Sequence, residues 1–368
     1  MTQSINVPSP AKIKVVGMGG SGCNAISRMV HEGIRGVEFI AMNTDAQHLG
    51  IIEAPVRIQL GERSTRGLGA GGDHSRGRKA AEESIDEIRD AIFGADMVFV
   101  TAGMGGGTGT GSAPVVAEIA KKSGALTIAV VTRPFGFEGL RRAQVAEEGI
   151  RNLTPNVDTV IIVPNDKILD VCDKRTSVDN AFRMADEVLH QGVQAIAEVI
   201  TVPGIINLDF ADVKTIMKDS GHAWMSIGWG SGQTRAVDAA RQALASPLLD
   251  VSVNGATKVM FNIVGGSDLT LFEVNDAAEV IRKAVAPDAN VIFGVMMDPA
   301  MDASVRLTLI ATGFATNEES ANNEKALQSE KQERIKHLFN SNNDEELDMP
   351  SFLRNQYSIK NQGKSKRT

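Results

Sequence analysis

Short runs of β-branched apolar residues alternate with amphipathic stretches through the first half of the chain. The apolar runs predict strands, and the stretches between them have helical spacing. Such alternation is typical of βαβ units around a parallel sheet that is covered on both faces. The predicted strands are Lys12–Val16, Val37–Met42, Val56–Leu60, Met97–Thr101, Leu126–Val131 and Thr159–Val163, and the predicted helices are Asn24–Glu32, Arg76–Phe93 and Ala113–Lys122.

A longer helical pattern divides this half from the rest of the chain. Asp179–Ile200 has a wide apolar stripe, Asp179 is the expected N-cap, and Pro203-Gly204 is the expected end. Beyond it we expect a second, smaller α/β unit with a mixed sheet. Its predicted strands are His222–Ile227, Lys258–Val264, Asn290–Met297 and Val305–Ala311, and its predicted helices lie near Arg235–Ala245 and Asn275–Ala284.

The pattern ends near Asn317. The following 30 residues are rich in Glu, Asn, Lys and Gln, as expected of a disordered linker, and apolar residues return at Leu347–Arg354 before a basic end. The predicted organisation is therefore a flexible N-terminus (1–11), a nucleotide-binding domain (12–178), a central helix (179–202), a second domain (203–316), a disordered linker (317–346) and a terminal peptide with a basic tail (347–368).

Composition excludes several classes of protein. Of the 368 residues, 42% are hydrophobic and 23% charged, which indicates a folded globular chain. A net charge of −7 and 4% aromatic residues argue against nucleic-acid binding. Cys23 and Cys172 form no disulfide or zinc pattern, which fits a reducing cytoplasm. The six histidines form no metal-hydrolase motif, so no protein-bound metal is expected. Neither a signal peptide nor a membrane-spanning run is visible.

Glycine is the informative residue type. The chain has 36 glycines, and fourteen of them fall within 21 positions, in Gly17–Gly22, Gly67–Gly72 and Gly103–Gly111. The first cluster follows a predicted strand and precedes a predicted helix, which is the setting of a G-x-G-x-x-G phosphate site. Asp45, after the second strand, has the place of a ribose-binding acid, so a dinucleotide-dependent oxidoreductase is one reading.

The third glycine cluster, Gly103–Gly111, argues against the oxidoreductase reading. A dinucleotide fold needs no second phosphate loop, whereas consecutive glycines with Thr108 and Thr110 offer backbone and hydroxyl donors for a di- or triphosphate. An unliganded loop with so many glycines would lose backbone entropy without compensation. No G-x-x-x-x-G-K-[ST] loop occurs. The middle cluster, Gly67–Gly72, predicts on its spacing a flexible turn.

These motifs resemble the tubulin-like GTPase superfamily and, within it, the FtsZ family of bacterial cell division. Gly105–Gly111 (GGGTGTG) is similar to the superfamily's signature loop. The resemblance extends over Lys12–Gln356 and includes Asn43-Thr-Asp45, Gly67–Ala70, Thr132–Gly139, Pro164–Lys167, Asn207–Asp212 and Met349–Arg354. One departure is Gly20-Ser21-Gly22-Cys23, where the family usually has more glycine; a positive φ at Ser21 or Cys23 would be costly.

The resemblance implies a fold and a set of nucleotide contacts. The fold is a Rossmann-like parallel-sheet GTPase domain, joined by the long helix to a smaller α/β domain with a disordered tail. GTP or GDP is the ligand, with Mg²⁺ on the phosphates. The implied phosphate-binding residues are Gly19, Gly20, Ser21, Gly22, Cys23 and Asn24, and Gly105, Gly106, Gly107, Thr108, Gly109 and Thr110. Asn43 and Thr132 belong to the same site, Glu138 and Arg142 meet the ribose and phosphates, and Asn165, Phe182 and Asp186 bind the guanine.

The resemblance also implies head-to-tail self-assembly. The ~22 residues of the long helix carry the chain roughly 33 Å from the nucleotide, so Asp209 and Asp212, with Asn207, would complete hydrolysis in a neighbouring subunit. The implied function is a polymerising GTPase in the cytoplasm, recruited to the membrane at midcell. Adaptor proteins would bind Asp348, Met349, Pro350, Phe352, Leu353 and Arg354. A plasmid-segregation filament, a scaffold without hydrolysis and the oxidoreductase are the alternatives.

Overall fold

The computed structural model describes residues 11–170, 172–173, 175–202, 204–206, 208–246, 253, 255–301 and 303–314. Within these ranges the strands are β1 (Ile13–Met18), β2 (Val37–Asn43), β3 (Val56–Gln59), β4 (Met97–Gly103), β5 (Leu126–Arg133), β6 (Thr159–Pro164), β7 (Gly221–Ser231), β8 (Lys258–Gly265), β9 (Asn290–Met297) and β10 (Ser304–Thr312). The predicted linker and terminal peptide lie outside the described residues.

The helices are α1 (Gly19–Glu32), α2 (Ala46–Ile51), α3 (Glu62–Thr65), α4 (His74–Glu83), α5 (Ile85–Ile92), α6 (Thr108–Lys122), α7 (Leu140–Leu153), α8 (Asp166–Leu169), α9 (Val178–Thr201), α10 (Phe210–Met217), α11 (Arg235–Leu244) and α12 (Leu271–Ala284). Two short 3₁₀ helices cover Gly136–Glu138 and Thr154–Asn156. None of the helices in the described ranges is both long and apolar enough to cross a membrane.

All the strands belong to one ten-stranded sheet in the order β3-β2-β1-β4-β5-β6-β7-β10-β8-β9. Neighbouring strands are parallel except where β10 pairs with β7 and with β8. The predicted α/β class with a mostly parallel sheet is therefore confirmed. The proposed domain boundaries stay a prediction, since the sheet runs without a break from β6 to β7.

The core lies on both faces of the parallel part of the sheet. On β1, Val15 packs on the face that is covered by α1, α9 and α10, and Val16 packs on the face that is covered by α4 to α7. This alternation follows from the two-residue period of a strand. A third apolar cluster lies between β8, β9 and β10 and helices α11 and α12.

Three local predictions differ from the structure. Helix α9 is capped by Ser177, whose side chain accepts the N–H of Asn180 at 3.3 Å, so the prediction of Asp179 as N-cap is wrong; Asp179 lies inside the helix. The predicted Arg76–Phe93 stretch forms two helices that meet at Ser84. The Ser84 hydroxyl accepts the N–H of Gly61 at 3.1 Å, a bond to a different part of the chain.

The third difference concerns where α1 and α6 begin. We expected them to start at Asn24 and Ala113, because glycine disfavours helix. They begin instead at Gly19 and Thr108, so each glycine cluster supplies the first turn of a helix. Pro114 consequently lies inside α6 rather than in its first turn. Five of the described helices have no counterpart among the predicted ones: α2, α3, α7, α8 and α10. For α10 a signal was present, because Asp209 and Asp212 have the spacing of a capping box.

Candidate functional site

Two glycine loops lie side by side at the carboxyl edge of the parallel strands. Strand β1 leads directly into α1, and β4 leads through Gly103–Gly107 into α6. Gly19 and Gly105 have φ of +71° and +98°, a backbone region that side chains with a Cβ rarely adopt. The first N–H groups of both helices have no partner in the helix and carry its positive dipole end. This edge is therefore suited to bind phosphate groups.

The two loops pack too closely for larger residues at most positions. A Cβ on Gly19 would lie 2.8 Å from the backbone nitrogen of Gly109, and a Cβ on Gly22 would lie 2.5 Å from the carbonyl oxygen of Thr101. Gly20 and Gly106 differ from these, because a Cβ on either would meet no atom within 4 Å. The backbone at these two glycines therefore faces open space, as a loop that contacts a ligand directly requires.

The middle glycine cluster supports the second loop. A Cβ on Gly107 would lie 2.8 Å from Cβ of Ala70 and 2.9 Å from the nitrogen of Asp73. The N–H of Gly69 donates to the carbonyl oxygen of Thr44 at 3.1 Å. On spacing we expected a flexible turn here; the structure shows a segment packed against Gly107, and four of its glycines have positive φ.

Ser21 and Cys23 fit the first loop without strain, because both lie inside α1 and the positive φ belongs to Gly19. The Cys23 thiol lies within 3.6 Å of the carbonyl oxygen of Gly17 and 3.5 Å of that of Met42. Burial raises the pKa of Cys23 to about 12, so this thiol stays protonated.

Helix α9 brings Asp186 to the same loop. The Ser21 hydroxyl donates to Oδ1 of Asp186 at 3.2 Å. Burial raises the pKa of Asp186 to about 6, and the Ser21 bond and the charge of Arg28 lower it by less. A largely buried carboxylate thus lies beside the first glycine loop, where it can accept hydrogen bonds from a ligand.

Phe182 lies one turn before Asp186 and takes part in a cluster of aromatic rings. Its ring is edge-on to Phe135, with centroids 5.3 Å apart, and edge-on to Phe137 at 6.4 Å. Phe135 and Phe137 stack at 5.0 Å. Phe182 is 39% exposed and Phe137 is 63% exposed, so both offer a face to a planar ligand. The sequence analysis missed Phe137, although it lies in the Thr132–Gly139 motif.

Glu138 and Arg142 form an ion pair next to the second loop. The distance from Oε2 of Glu138 to Nη1 of Arg142 is 3.0 Å, and Oε1 of Glu138 accepts the N–H of Phe135 at 2.8 Å. The Arg142 side chain lies against Gly105, since Cγ of Arg142 is 2.8 Å from where a Cβ on Gly105 would be. The pair therefore connects the backbone at Phe135 to the second glycine loop at Gly105.

Asn165 follows β6 at the same edge. Its side chain is buried, and within the described part of the chain its Oδ1 atom has no hydrogen-bond partner. Thr132, at the end of β5, is also buried, and its carbonyl oxygen accepts the N–H of Met104 at 2.9 Å. A buried acceptor without a partner is costly, so Asn165 fits a contact with a ligand.

A hydrogen-bonded row joins the second strand to α1. Nδ2 of Asn43 lies 3.1 Å from Nδ1 of His48, and Nε2 of His48 lies 3.1 Å from Oδ1 of Asn24. The hydroxyls of Thr44 and Thr108 are 2.6 Å apart. The sequence analysis did not single out His48 or Thr44. The sequence gives only one indication of their role, which is that both follow β2, a strand that ends at the carboxyl edge of the sheet.

Asp45 is used within the protein. Its Oδ1 accepts the N–H groups of Gln47 and His48 at 2.9 and 3.0 Å and so caps α2. One oxygen of Asp45 therefore has a structural role at the start of α2, which accounts for an acid at this position without a ribose.

Asp209 and Asp212 are not brought to this site. They form a capping box at the start of α10, with Asp209 Oδ1 accepting the N–H of Asp212 at 2.8 Å and Asp212 Oδ2 accepting the N–H of Asp209 at 3.2 Å. Asn207, the third predicted catalytic residue, lies outside the described residues.

Two contacts place the elements on either side of these aspartates at the other end of the strands. The last residue of α9, Thr201, packs against Gly36, just before β2, so α9 runs from the carboxyl edge to the amino edge. Helix α10 ends at the amino edge too: the N–H of Ser220, shortly after it, donates to the carbonyl oxygen of Asp158 at 2.9 Å. The 24 residues of α9 span ~36 Å.

The comparisons with known proteins agree with this geometry. Residues 12–173 match the GTPase domain of the Tubulin/FtsZ family, and residues 221–315 match the C-terminal domain of the FtsZ family. The fold and the glycine-loop edge thus define a GTPase of the tubulin type.

Solved structures narrow this to one family. An FtsZ of M. jannaschii, solved as an empty dimer, is 47% identical, covers 83% of this chain and 89% of its own, and has a TM-score of 0.80. A tryptophan-to-tyrosine variant of that protein gives the same identity and TM-score, with 92% of its own chain covered. The chain belongs to the FtsZ family. It is therefore a GTPase whose ligands are GTP and GDP.

Two more distant proteins share the fold. CetZ1 of Haloferax volcanii, a GDP-bound monomer, is 20% identical with a TM-score of 0.72, over 87% of this chain and 99% of its own. CetZ2 of the same organism, solved as a GTPγS-bound protofilament, is 22% identical with a TM-score of 0.70, over 88% and 99%.

Proposed function

We propose that this GTPase assembles head to tail into protofilaments that form the division ring, and that each active site is completed by two subunits. The observation that carries the proposal is the position of Asp209 and Asp212, at the opposite end of α9 from the glycine loops. A subunit cannot bring both sets of groups to one nucleotide. In a head-to-tail contact, the carboxylates of one copy meet the phosphates that the next copy binds.

Within one subunit, Gly19–Asn24 and Gly105–Thr110 would hold the phosphates. Asn165 and Asp186 would bind the guanine edge, because its N1–H and exocyclic amine need acceptors, and Phe182 would stack on the ring. Glu138 and Arg142 would meet the ribose and phosphates, while Asn43 and Thr132 support the loops. Mg²⁺ on the phosphates would supply charge neutralisation, and water would provide most of its ligands, so we name no protein ligand.

The second subunit would supply Asp209 and Asp212, with Asn207. Asp209 is exposed, and both carboxylates keep an oxygen outside the capping box. Carboxylates in this position can orient the attacking water or hold the cation at the γ-phosphate. Hydrolysis should therefore depend on assembly.

Exposed apolar residues at both ends support a head-to-tail contact. Leu68, Phe137 and Leu140 are 79%, 63% and 85% exposed near the glycine loops. Near the aspartates, Ile205 is 64% exposed and hydrogen-bonded to Val295 of β9. Leu271 and Phe272, at the start of α12, are 78% and 82% exposed. Where exposed apolar side chains form a contiguous patch, the surface is typical of one that binds another protein. The dimer of the M. jannaschii FtsZ and the protofilament of CetZ2 are in keeping with self-association.

The first test is sedimentation of the purified protein with GTP, GDP or ATP. We expect pelleting with GTP alone, and hydrolysis that rises more steeply than linearly with protein concentration near the onset of assembly. Tight binding of ATP, or a monomer that hydrolyses GTP at the full rate, would contradict the proposal.

A mixing experiment tests the shared site more directly. Asp186→Ala should bind GTP poorly but keep Asp209 and Asp212, whereas Asp212→Ala should bind GTP and hydrolyse it poorly. If the site is shared, a mixture of the two variants hydrolyses GTP faster than the sum of the separate rates. If each subunit acts on its own nucleotide, the rates simply add.

The division role rests on the terminal peptide, which lies outside the described residues. Asp348–Arg354 combines acidic and apolar residues after a polar linker, a composition suited to a peptide that orders on a partner. We propose that membrane adaptors bind it and bring the cytoplasmic filament to the membrane at midcell. Deleting 348–368 should leave GTP hydrolysis and polymerisation largely intact and abolish adaptor binding, and Phe352→Ala should reproduce most of that loss. A plasmid-segregation filament, the alternative, would keep its partners without this peptide.

A further inference from the structure

Three potential metal ligands lie together where α1 packs on α9, outside the glycine-loop edge. Glu32 is the last residue of α1, and Glu187 and His190 are three positions apart on α9. Residues at this spacing lie on the same side of a helix. One ligand atom from each of the three residues lies within 4.8 Å of the other two.

The distances within this group fit a common ion. Nδ1 of His190 is 3.2 Å from Oε2 of Glu32 and 3.3 Å from Oε1 of Glu187. Ligand atoms that surround a zinc ion tetrahedrally at ~2.0–2.1 Å are roughly 3.3 Å from one another. The two distances from His190 therefore already match a common ion, and the ligand oxygens of the two glutamates lie within 4.8 Å of each other.

The charges in the group also call for a cation. The ring of His190 is 2% exposed and can direct at most one proton from Nδ1 toward two carboxylates. Its other nitrogen, Nε2, is buried without a hydrogen-bond partner among the described residues. Arg28 contacts the other oxygen of Glu187 at 3.3 Å. Within the described ranges, Glu32 forms no ion pair except with His190.

There is room for the remaining ligands. A cavity of about 240 Å³ is lined by the three residues together with Gln194, Thr308 and Arg306, whose guanidinium is paired with Glu198 at 2.9 Å. Three protein ligands with one position left to water is a common arrangement for zinc. We propose that Glu32, Glu187 and His190 form a site for a divalent transition metal of the zinc type, separate from the nucleotide. Mg²⁺ is a poor occupant, because it prefers oxygen ligands in a near-octahedral arrangement.

Cobalt(II) is the probe for this site, since tetrahedral Co²⁺ absorbs in the visible range. The untagged full chain, stripped of metal and nucleotide, is titrated with Co²⁺, and Zn²⁺ is then added to displace it. We expect one Co²⁺ per chain, displacement by Zn²⁺ but not by millimolar Mg²⁺, and a melting temperature that rises with Zn²⁺ because the ion ties α1 to α9.

Variants decide whether these residues hold the ion. Glu32→Gln and His190→Gln should each weaken Co²⁺ binding at least tenfold and abolish the Zn²⁺-dependent rise in melting temperature. His74→Gln is the matched control, because His74 contacts a single carboxylate, Glu148, at 3.4 Å. The partly exposed Glu32 keeps the test valid if His190→Gln fails to fold. Equal Co²⁺ affinity in the wild type and Glu32→Gln, or Co²⁺ that binds only when nucleotide is present, would overturn the proposal.

Discussion

The two ends of α9 are built in different ways. At its first end, side chains and backbone groups from several loops converge, and Asp186 reaches the first glycine loop through Ser21. Beyond its last residue, Asp209 and Asp212 accept hydrogen bonds mainly from each other's backbone. The first end therefore has the converging contacts that a binding site needs, whereas the second presents two carboxylates that are bonded mainly to each other's backbone.

In the shared active site that we propose, this difference corresponds to a division of roles between two subunits. Positioning of the nucleotide needs many close contacts, which one folded subunit provides through backbone packed at van der Waals distance. The two carboxylates need only to be held in position and accessible: the capping box holds both at the start of α10, where Asp209 is exposed and Asp212 is half-buried. A substitution at one end of α9 should therefore leave the other end intact.

The largest effect is expected at Gly107. In Gly107→Val the new side chain would collide with Ala70 and with the backbone of Asp73, at 2.8 and 2.9 Å from its Cβ. We expect GTP binding to be lost and the free energy of unfolding to fall by ~1–3 kcal/mol, measured by nucleotide-binding assays and urea denaturation. Gly50→Ala is the control, because no atom lies within 4 Å of its Cβ position; unchanged GTP affinity in Gly107→Val would contradict the packing argument.

A substitution at Gly106 can separate an effect on nucleotide binding from an effect on folding. A methyl group at this position meets no protein atom within 4 Å, so Gly106→Ala should fold with wild-type stability. If the phosphates lie on this loop, the same methyl group displaces them and the affinity for GTP and for GDP falls by about tenfold or more, roughly 1.4 kcal/mol. Calorimetric titration with GDP measures it, and wild-type affinity would place the phosphates elsewhere.

Substitutions of Asp186 and Asp212 compare directly how much each end of α9 contributes to GTP affinity. Asp186→Ala removes an acceptor for buried guanine donors and should weaken GTP binding by roughly 1–3 kcal/mol. Asp212→Ala should leave the affinity of the monomer unchanged, because Asp212 is at the other end of α9. Fluorescent-nucleotide binding below the concentration of assembly measures both, and an equal loss in both variants would mean that one subunit holds the complete site.

The smallest effect concerns the start of α9, which carries Phe182 and Asp186. Ser177→Ala removes the side chain that accepts the N–H of Asn180 and should lower the free energy of unfolding by ~1 kcal/mol. Asp179→Ala, at the residue that the sequence favoured as cap, loses only an exposed pair with Arg183 and should cost no more than about 0.5 kcal/mol. Urea denaturation of both variants tests the assignment, and the reverse order would refute it.

Sequence alone determined the strands, the α/β class and the two phosphate loops, because these depend on local pattern. Apolar runs locate β1 and β4 within one or two residues, and glycine where a positive φ is needed is visible at Gly19 and Gly105. The family resemblance added the nucleotide and the residues predicted to contact it, which spacing alone did not identify.

Only the tertiary structure decided the contacts between distant segments. Three such contacts depend on how the helices pack on the sheet. Ala70 packs against Gly107, His48 lies between Asn43 and Asn24, and Ser21 is hydrogen-bonded to Asp186. The meeting of Glu32 with Glu187 and His190 is of the same kind. Such contacts join residues that are many positions apart, and their distances are set by close packing of the core, which hydrophobic periodicity does not encode.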